Sequence, residues 1–135
     1  NIYACGDCTN HPNKLLNENL RLESVHNAME QSKTVASSIL NVPIEYSQVP
    51  WFWSDQYDHK LQIVGLSGNH DTVTMRGDMS ESKFMLFYSK NQELLAVDSI
   101  NNPKEFLISR KLVEKKVKID SEMIADPTTD LNKLI

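Results

Sequence analysis

Apolar residues recur at helical spacing after position 24, where Val25, Ala28, Met29, Val35, Ala36, Ile39 and Leu40 make one stripe. Ser24 stands at a capping position, and Asn41 with Pro43 supplies a stop, so the pattern predicts a helix over 24–40. Past Pro43 the period shortens. Residues 60–66, 71–76, 83–89 and 93–98 are short runs rich in β-branched, aromatic and large aliphatic side chains, which predict strands. The links Ser67-Gly68-Asn69, Gly77-Asp78 and Asn91-Gln92 are turn chemistry and too short for parallel crossovers, so an antiparallel meander is expected. Asn102-Pro103-Lys104-Glu105 then offers a cap, a proline at the first helical position and a glutamate at the third. That helix is expected to run to about Lys115 or Lys116, whose charges suit its negative end. A linker with Asp126-Pro127 leads to a final segment carrying Leu131, Leu134 and Ile135.

Ahead of the first helix, Ile2-Tyr3-Ala4-Cys5 is an apolar run ending at Gly6-Asp7, the pattern of a buried strand delivering a turn. Residues 9–22 are polar and contain His11-Pro12, and they read as a loop. A buried strand needs neighbours on both edges, and parallel ones arrive through crossovers elsewhere in the chain. The expectation is that the sequence starts inside a domain. The fold class is α+β. A strand-turn-helix segment at 1–45 precedes a module at 46–135, an antiparallel β-meander with a C-terminal helix.

Composition narrows the classes. With 135 residues, 40% hydrophobic and 24% charged, the chain is long and apolar enough to bury a core. Fourteen basic against eighteen acidic residues, a net charge of −4, argue against a nucleic-acid backbone as partner. No apolar run approaches the ~20 residues of a membrane-spanning helix. No charged n-region precedes an apolar one, so a soluble, cytoplasmic protein is expected. Two cysteines near the start are no disulfide framework and fit a reducing compartment.

The chemistry concentrates at the opening turn. Gly6 has no side chain, so the backbone there can approach a ligand closely. The ionised carboxylate of Asp7 accepts hydrogen bonds from ligand hydroxyls. Cys5-Gly6-Asp7-Cys8 is formally a C-x-x-C, which raises thiol redox chemistry or, with His11 and His26, a zinc site. A polar loop follows it instead of a helix start, and two free thiols, with no metal, is the reading taken. His59 and His70 fall beside strand ends and read as solvated loop positions. Neither Gly-x-Gly-x-x-Gly nor a P-loop occurs, and no Gly-x-Ser-x-Gly elbow. Lys104, Lys111, Lys115, Lys116 and Lys118 gather on or after the last long helix, a solvated face that also suits an acidic partner.

Three ordered segments carry a resemblance. Ile2-Tyr3-Ala4-Cys5-Gly6-Asp7 resembles the second FAD-binding motif of the two-dinucleotide-fold flavoprotein reductases. Arg21-Leu22-Glu23-Ser24-Val25-His26-Asn27-Ala28 looks like the helix entry that follows it. Pro50-Trp51-Phe52-Trp53-Ser54-Asp55-Gln56 looks like the aromatic signature of their carboxy-terminal domain. Val64-Gly65-Leu66 and Arg76-Gly77-Asp78 agree in order and spacing. The chain thus resembles the carboxy-terminal part of FAD-dependent NAD(P)H:ferredoxin reductases of the oxygenase-coupled type.

The resemblance implies an electron route from NAD(P)H through FAD to a [2Fe–2S] ferredoxin. Asp7, with Gly6, would bind the ribityl–pyrophosphate region of FAD. Val25 would meet the pyrimidine end of the flavin through its backbone N–H at the positive end of the helix. Trp53 would lie by the flavin on the ferredoxin side, while Trp51, on the same strand face and opposite Phe52, is structural. Residues 1–45 would be the end of the FAD domain, with the dinucleotide cradles upstream. The segment alone would then hold no cofactor and be inactive. Its apolar stripe, left without the rest of the FAD domain, is expected to pack against protein, by folding back onto 46–135 or by pairing as a homodimer. A reductase serving another acceptor and a non-catalytic interaction domain are the alternatives.

Overall fold

The computed structural model describes residues 2–14 and 16–135, which fall into two compact units, Asn1–Phe52 and Trp53–Ile135. In the first, two short strands, β1 (His11–Asn13) and β2 (Glu18–Leu20), pair antiparallel with His11 opposite Leu20. They lie in the stretch expected as loop, because three-residue strands leave no readable alternation. Helix α1 (Val25–Ile39) starts where Ser24 Oγ accepts the Asn27 N–H at 3.1 Å. Its extent matches the sequence expectation. Its orientation is less ordinary.

The apolar stripe of α1 faces outward. Val25, Met29, Ile39 and Leu40 are exposed, while Asn27, Gln31 and Ser37 are the buried positions. Polar side chains can occupy an interior where each finds partners. Asn27 Nδ2 donates to Leu22 O at 2.8 Å, and Ser37 Oγ donates to Thr34 O and accepts the Ile44 N–H at 3.1 Å. The expected strand at residues 2–5 is corrected as well. No ladder partner pairs with it among the described residues, and Ile2 is 98% exposed.

The rest of the chain builds an antiparallel sheet of five strands, β3 (Trp51–Gln56), β4 (His59–Gly65), β5 (Thr72–Asp78), β6 (Lys83–Lys90) and β7 (Glu93–Ile100). Strand order is β3-β4-β7-β6-β5. Strands β5 to β7 form the expected meander, but β4 pairs with β7 and not with β5, which makes a Greek key. Residues 66–71 make the connection. Six extended residues span about 20 Å, enough to cross three strand spacings of about 14 Å in sum. Gly77-Asp78, expected as a link, is instead the paired end of β5, opposite Phe84 and Lys83.

Register puts rows of buried side chains on one sheet face. Val64, Val97, Phe87 and Thr74 run across it in paired register, and Ser99, Met85 and Arg76 form the next row. Helix α2 (Pro103–Glu114) adds Phe106, Leu112 and Val113 to this core. The short helices α3 (Ser121–Ala125) and the 3-10 turn Leu131–Leu134 add Ile124 and Leu131. Gly65 is required where β4 ends: its φ is +79°, and a Cβ there would sit 2.1 Å from Leu95 O. Among the described residues, no helix is long and apolar enough to cross a membrane.

Candidate functional site

The Gly6–Asp7 turn is seated on α1. Gly6 is buried with φ +82°, a backbone region that side-chain-bearing residues rarely adopt, and a Cβ built on it would lie 3.6 Å from Ala28 Cβ. Its N–H donates to Gln31 Oε1 at 2.7 Å, and the Thr9 N–H closes the turn on Gly6 O at 3.0 Å. Asp7 is exposed. Backbone conformation therefore requires glycine at 6 and turns the next side chain outward.

Val25 opens α1, and Ala28, which touches the Gly6 position, lies one turn further along the same helix. The structure thus brings Gly6, Asp7 and the start of α1 into one neighbourhood. First-turn N–H groups of a helix have no intrahelical acceptor and carry partial positive charge. An exposed carboxylate after a glycine with positive φ, beside such a helix start, is a donor and acceptor set that fits a polyhydroxylated, carbonyl-bearing group such as FAD.

Trp53 falls in the second unit, on strand β3, half-buried like Trp51, with Phe52 between them exposed. The alternation expected of Trp-x-Trp is present. Trp51 is in ring contact with His26, centroids 5.7 Å apart.

Cys5 and Cys8 are free and exposed, with Cys8 Sγ directed to Cys5 O at 3.6 Å. Among the described residues no group of three or more His, Cys, Asp or Glu is arranged to hold a metal ion. His11 is engaged by Gln31 and by the Tyr46 ring, 4.8 Å away edge-to-face, and burial lowers its pKa. His70 keeps close to Ser67 O at 2.5 Å and stacks edge-on with Tyr88 at 5.1 Å. The lysines of α2 are exposed, and Lys116 approaches Glu93 at 3.9 Å.

Two features were not read from sequence. Arg76, 3% exposed, forks onto Glu105 through Nε and Nη2, the shortest contact being 2.6 Å. The same guanidinium donates to the carbonyls of Ile124, Asp126, Pro127 and Thr129. Burial raises the pKa of Glu105, but the hydrogen bonds and charge of Arg76 outweigh it and hold the carboxyl below its usual value. Glu105 is therefore not the reciprocal half of a capping box, and Asn102 makes no side-chain cap but donates to Glu105 Oε2 at 2.8 Å. The second is the set of buried polar side chains around Gln31. An arginine in an otherwise alternating strand was the one signal for the first; nothing in the pattern marked the second.

Residues 51–135 match the family of reductase C-terminal domains. The chain belongs to that family. At 39% identity over 134 residues it is similar to the ferredoxin reductase subunit of 5,5'-dehydrodivanillate O-demethylase from Sphingobium sp. strain NBRC 103272 / SYK-6, covering 98% of this chain and 32% of the relative. Among solved structures it is similar to the ferredoxin reductase for the CYP199A2 system from Rhodopseudomonas palustris, with a TM-score of 0.89 and 37% identity over 96% of this chain and 32% of that one. It also resembles putidaredoxin reductase in its covalent complex with putidaredoxin, with a TM-score of 0.88 and 33% identity over 96% of this chain and 31% of that one. The chain spans about a third of these proteins. The antiparallel α+β architecture is that of the reductase C-terminal domain.

Proposed function

We propose that this chain is the carboxy-terminal portion of a flavoprotein that passes electrons from NAD(P)H through FAD to a [2Fe–2S] ferredoxin in the cytoplasm. Residues 1–45 belong to its FAD domain and 46–135 form the ferredoxin-facing domain. The observation that carries this is the Gly6–Asp7 turn, clamped to α1 with the Asp7 side chain turned outward. When bound, FAD accepts an electron pair from the nicotinamide and releases electrons singly.

The chain's own residues bind and orient. Asp7 accepts hydrogen bonds from ribityl hydroxyls, and Gly6 leaves the backbone open to the same group. The Val25 N–H, at the positive end of α1, stabilises negative charge on the pyrimidine edge of the flavin. Trp53 presents a planar apolar face that excludes water on the acceptor side. The dinucleotide cradles come from sequence outside these 135 residues, so the segment alone retains no flavin.

The test is made on the full-length reductase. It should purify with FAD and reduce a [2Fe–2S] ferredoxin with NADH or NADPH. Trp53→Ala should slow the ferredoxin half-reaction more than flavin reduction by the nicotinamide. Stopped-flow traces with only the nicotinamide step impaired would put Trp53 on the wrong side of the flavin, and a purified protein without FAD would sink the whole reading.

A further inference from the structure

The orientation of the Gln31 amide follows from its neighbours. A backbone N–H can only donate, so the atom 2.7 Å from Gly6 N must be the amide oxygen. The Thr9 hydroxyl, 2.9 Å away, also turns its proton to that oxygen or to Gly6 O at 2.8 Å. The amide nitrogen then faces His11 Nδ1 at 2.9 Å. An NH2 has no lone pair to offer, so Nδ1 accepts and the neutral imidazole carries its proton on Nε2. Nε2 is buried without a hydrogen-bond partner among the described residues, and its ring meets Tyr46 edge-to-face. Tyr46 donates its hydroxyl proton to Asn27 Oδ1 at 2.9 Å, and Asn27 Nδ2 donates to Leu22 O at 2.8 Å.

These contacts connect the two ends of the cofactor-facing segment. At one end is the Gly6–Asp7 turn; at the other are Leu22 and the capped start of α1, where Val25 sits. We infer that Gln31, held in orientation by His11, is a positioning residue that sets the Gly6–Asp7 turn for the flavin. The inference rests on the reading of Asp7 as a flavin ligand. A glycine at φ +82° has other backbone wells open to it, and the peptide before it is free to rotate once its N–H is released. Gln31 is 5% exposed, so water does not readily replace its oxygen.

The experiment uses the full-length reductase and follows FAD release by the recovery of flavin fluorescence on dilution. Gln31→Leu, which removes the acceptor, should release FAD on the order of tenfold faster. Gln31→Glu restores an acceptor for the Gly6 N–H and should release FAD near the parent rate. In that variant the second carboxylate oxygen faces Nδ1, so the His11 proton should move there, visible in the ring 15N shifts. In the parent, the same shifts should report Nε2–H; an Nδ1–H tautomer would overturn the assigned orientation. Asp7→Ala separates the two layers. Unchanged FAD release in Asp7→Ala overturns the flavin-ligand reading. Faster release in Asp7→Ala with parent-like release in Gln31→Leu overturns the role of Gln31 alone. If Gln31→Leu does not fold, Gln31→Asn, too short to reach Gly6, takes its place with the same expected result and the same refutation.

Discussion

Tyr88 donates its phenolic proton to Asp98 Oδ2 at 2.8 Å across neighbouring strands β6 and β7. Burial, then the hydrogen bond and charge of Asp98, push Tyr88 up to about 12. Burial also raises Asp98, with the bond from Tyr88 pulling the other way. A carboxyl raised in the folded state binds protons there that the unfolded chain has already lost. Between the unfolded and folded pKa values, stability therefore falls as pH rises. Tyr88→Phe removes the opposing donor, so Asp98 should titrate higher and the falling window should extend upward. At neutral pH the loss should be about 1 kcal/mol, the effect of leaving a half-buried acceptor without its donor. Urea unfolding across a pH series reads both, and a profile that only shifts uniformly would refute the coupling. The pair was not legible in the sequence. It depends on a register that shifts between Tyr88 and Ser89, and a one-residue slip sends every later side chain to the other face.

At the scale of elements, Arg76 joins β5, α2 and the chain from Ile124 to Thr129 through one guanidinium. Only a planar fork can meet a carboxylate and several carbonyls at once. Arg76→Met should destabilise the second unit by about 3–5 kcal/mol, because Glu105 is left without its partner. Arg76→Lys should recover little of it. Hydrogen exchange should show residues 121–131 losing protection first in both variants, and protection in both equal to that of the parent would refute the tie. The pH dependence has the opposite sign from that of Asp98. Glu105 is held below its unfolded value, so its stabilisation is present above that value and lost as pH falls through the folded one. Glu105→Gln should flatten this acid limb. Element positions were largely legible, because α1, β6, β7 and α2 carry clear periodicity and flanking turn chemistry. Their neighbours in space were less so. Link length excluded parallel crossovers but did not decide whether six residues turn back or cross the sheet's end.

For the whole molecule, ordered motifs said more than periodicity. The Gly6–Asp7 turn, the Ser24-capped helix and the Trp51–Trp53 strand pointed to a reductase; the amphipathic pattern of α1 marked its apolar stripe but could not show which polar side chains would be satisfied inside. The exposed stripe leads to the last prediction. Val25, Met29, Ile39 and Leu40, with Val42 and Ile44 beyond the helix, are all exposed. Burying each large apolar side chain is worth about 1.5–3 kcal/mol, so an exposed set of this size is comparable to the stability of a small domain. In the proposed reductase the rest of the FAD domain should cover part of this face. Produced by itself, the 135-residue chain should pair through it as a homodimer at micromolar concentration. Met29→Glu with Ile39→Glu places charge in the middle of that contact without touching Asn27, Gln31 or Ser37. Sedimentation should then show a monomer, while the unfolding midpoint of the 53–135 unit stays where it was. A parent chain that sediments as a monomer at high micromolar concentration would show that exposed apolar area on α1 does not drive association, and the argument from burial would fail.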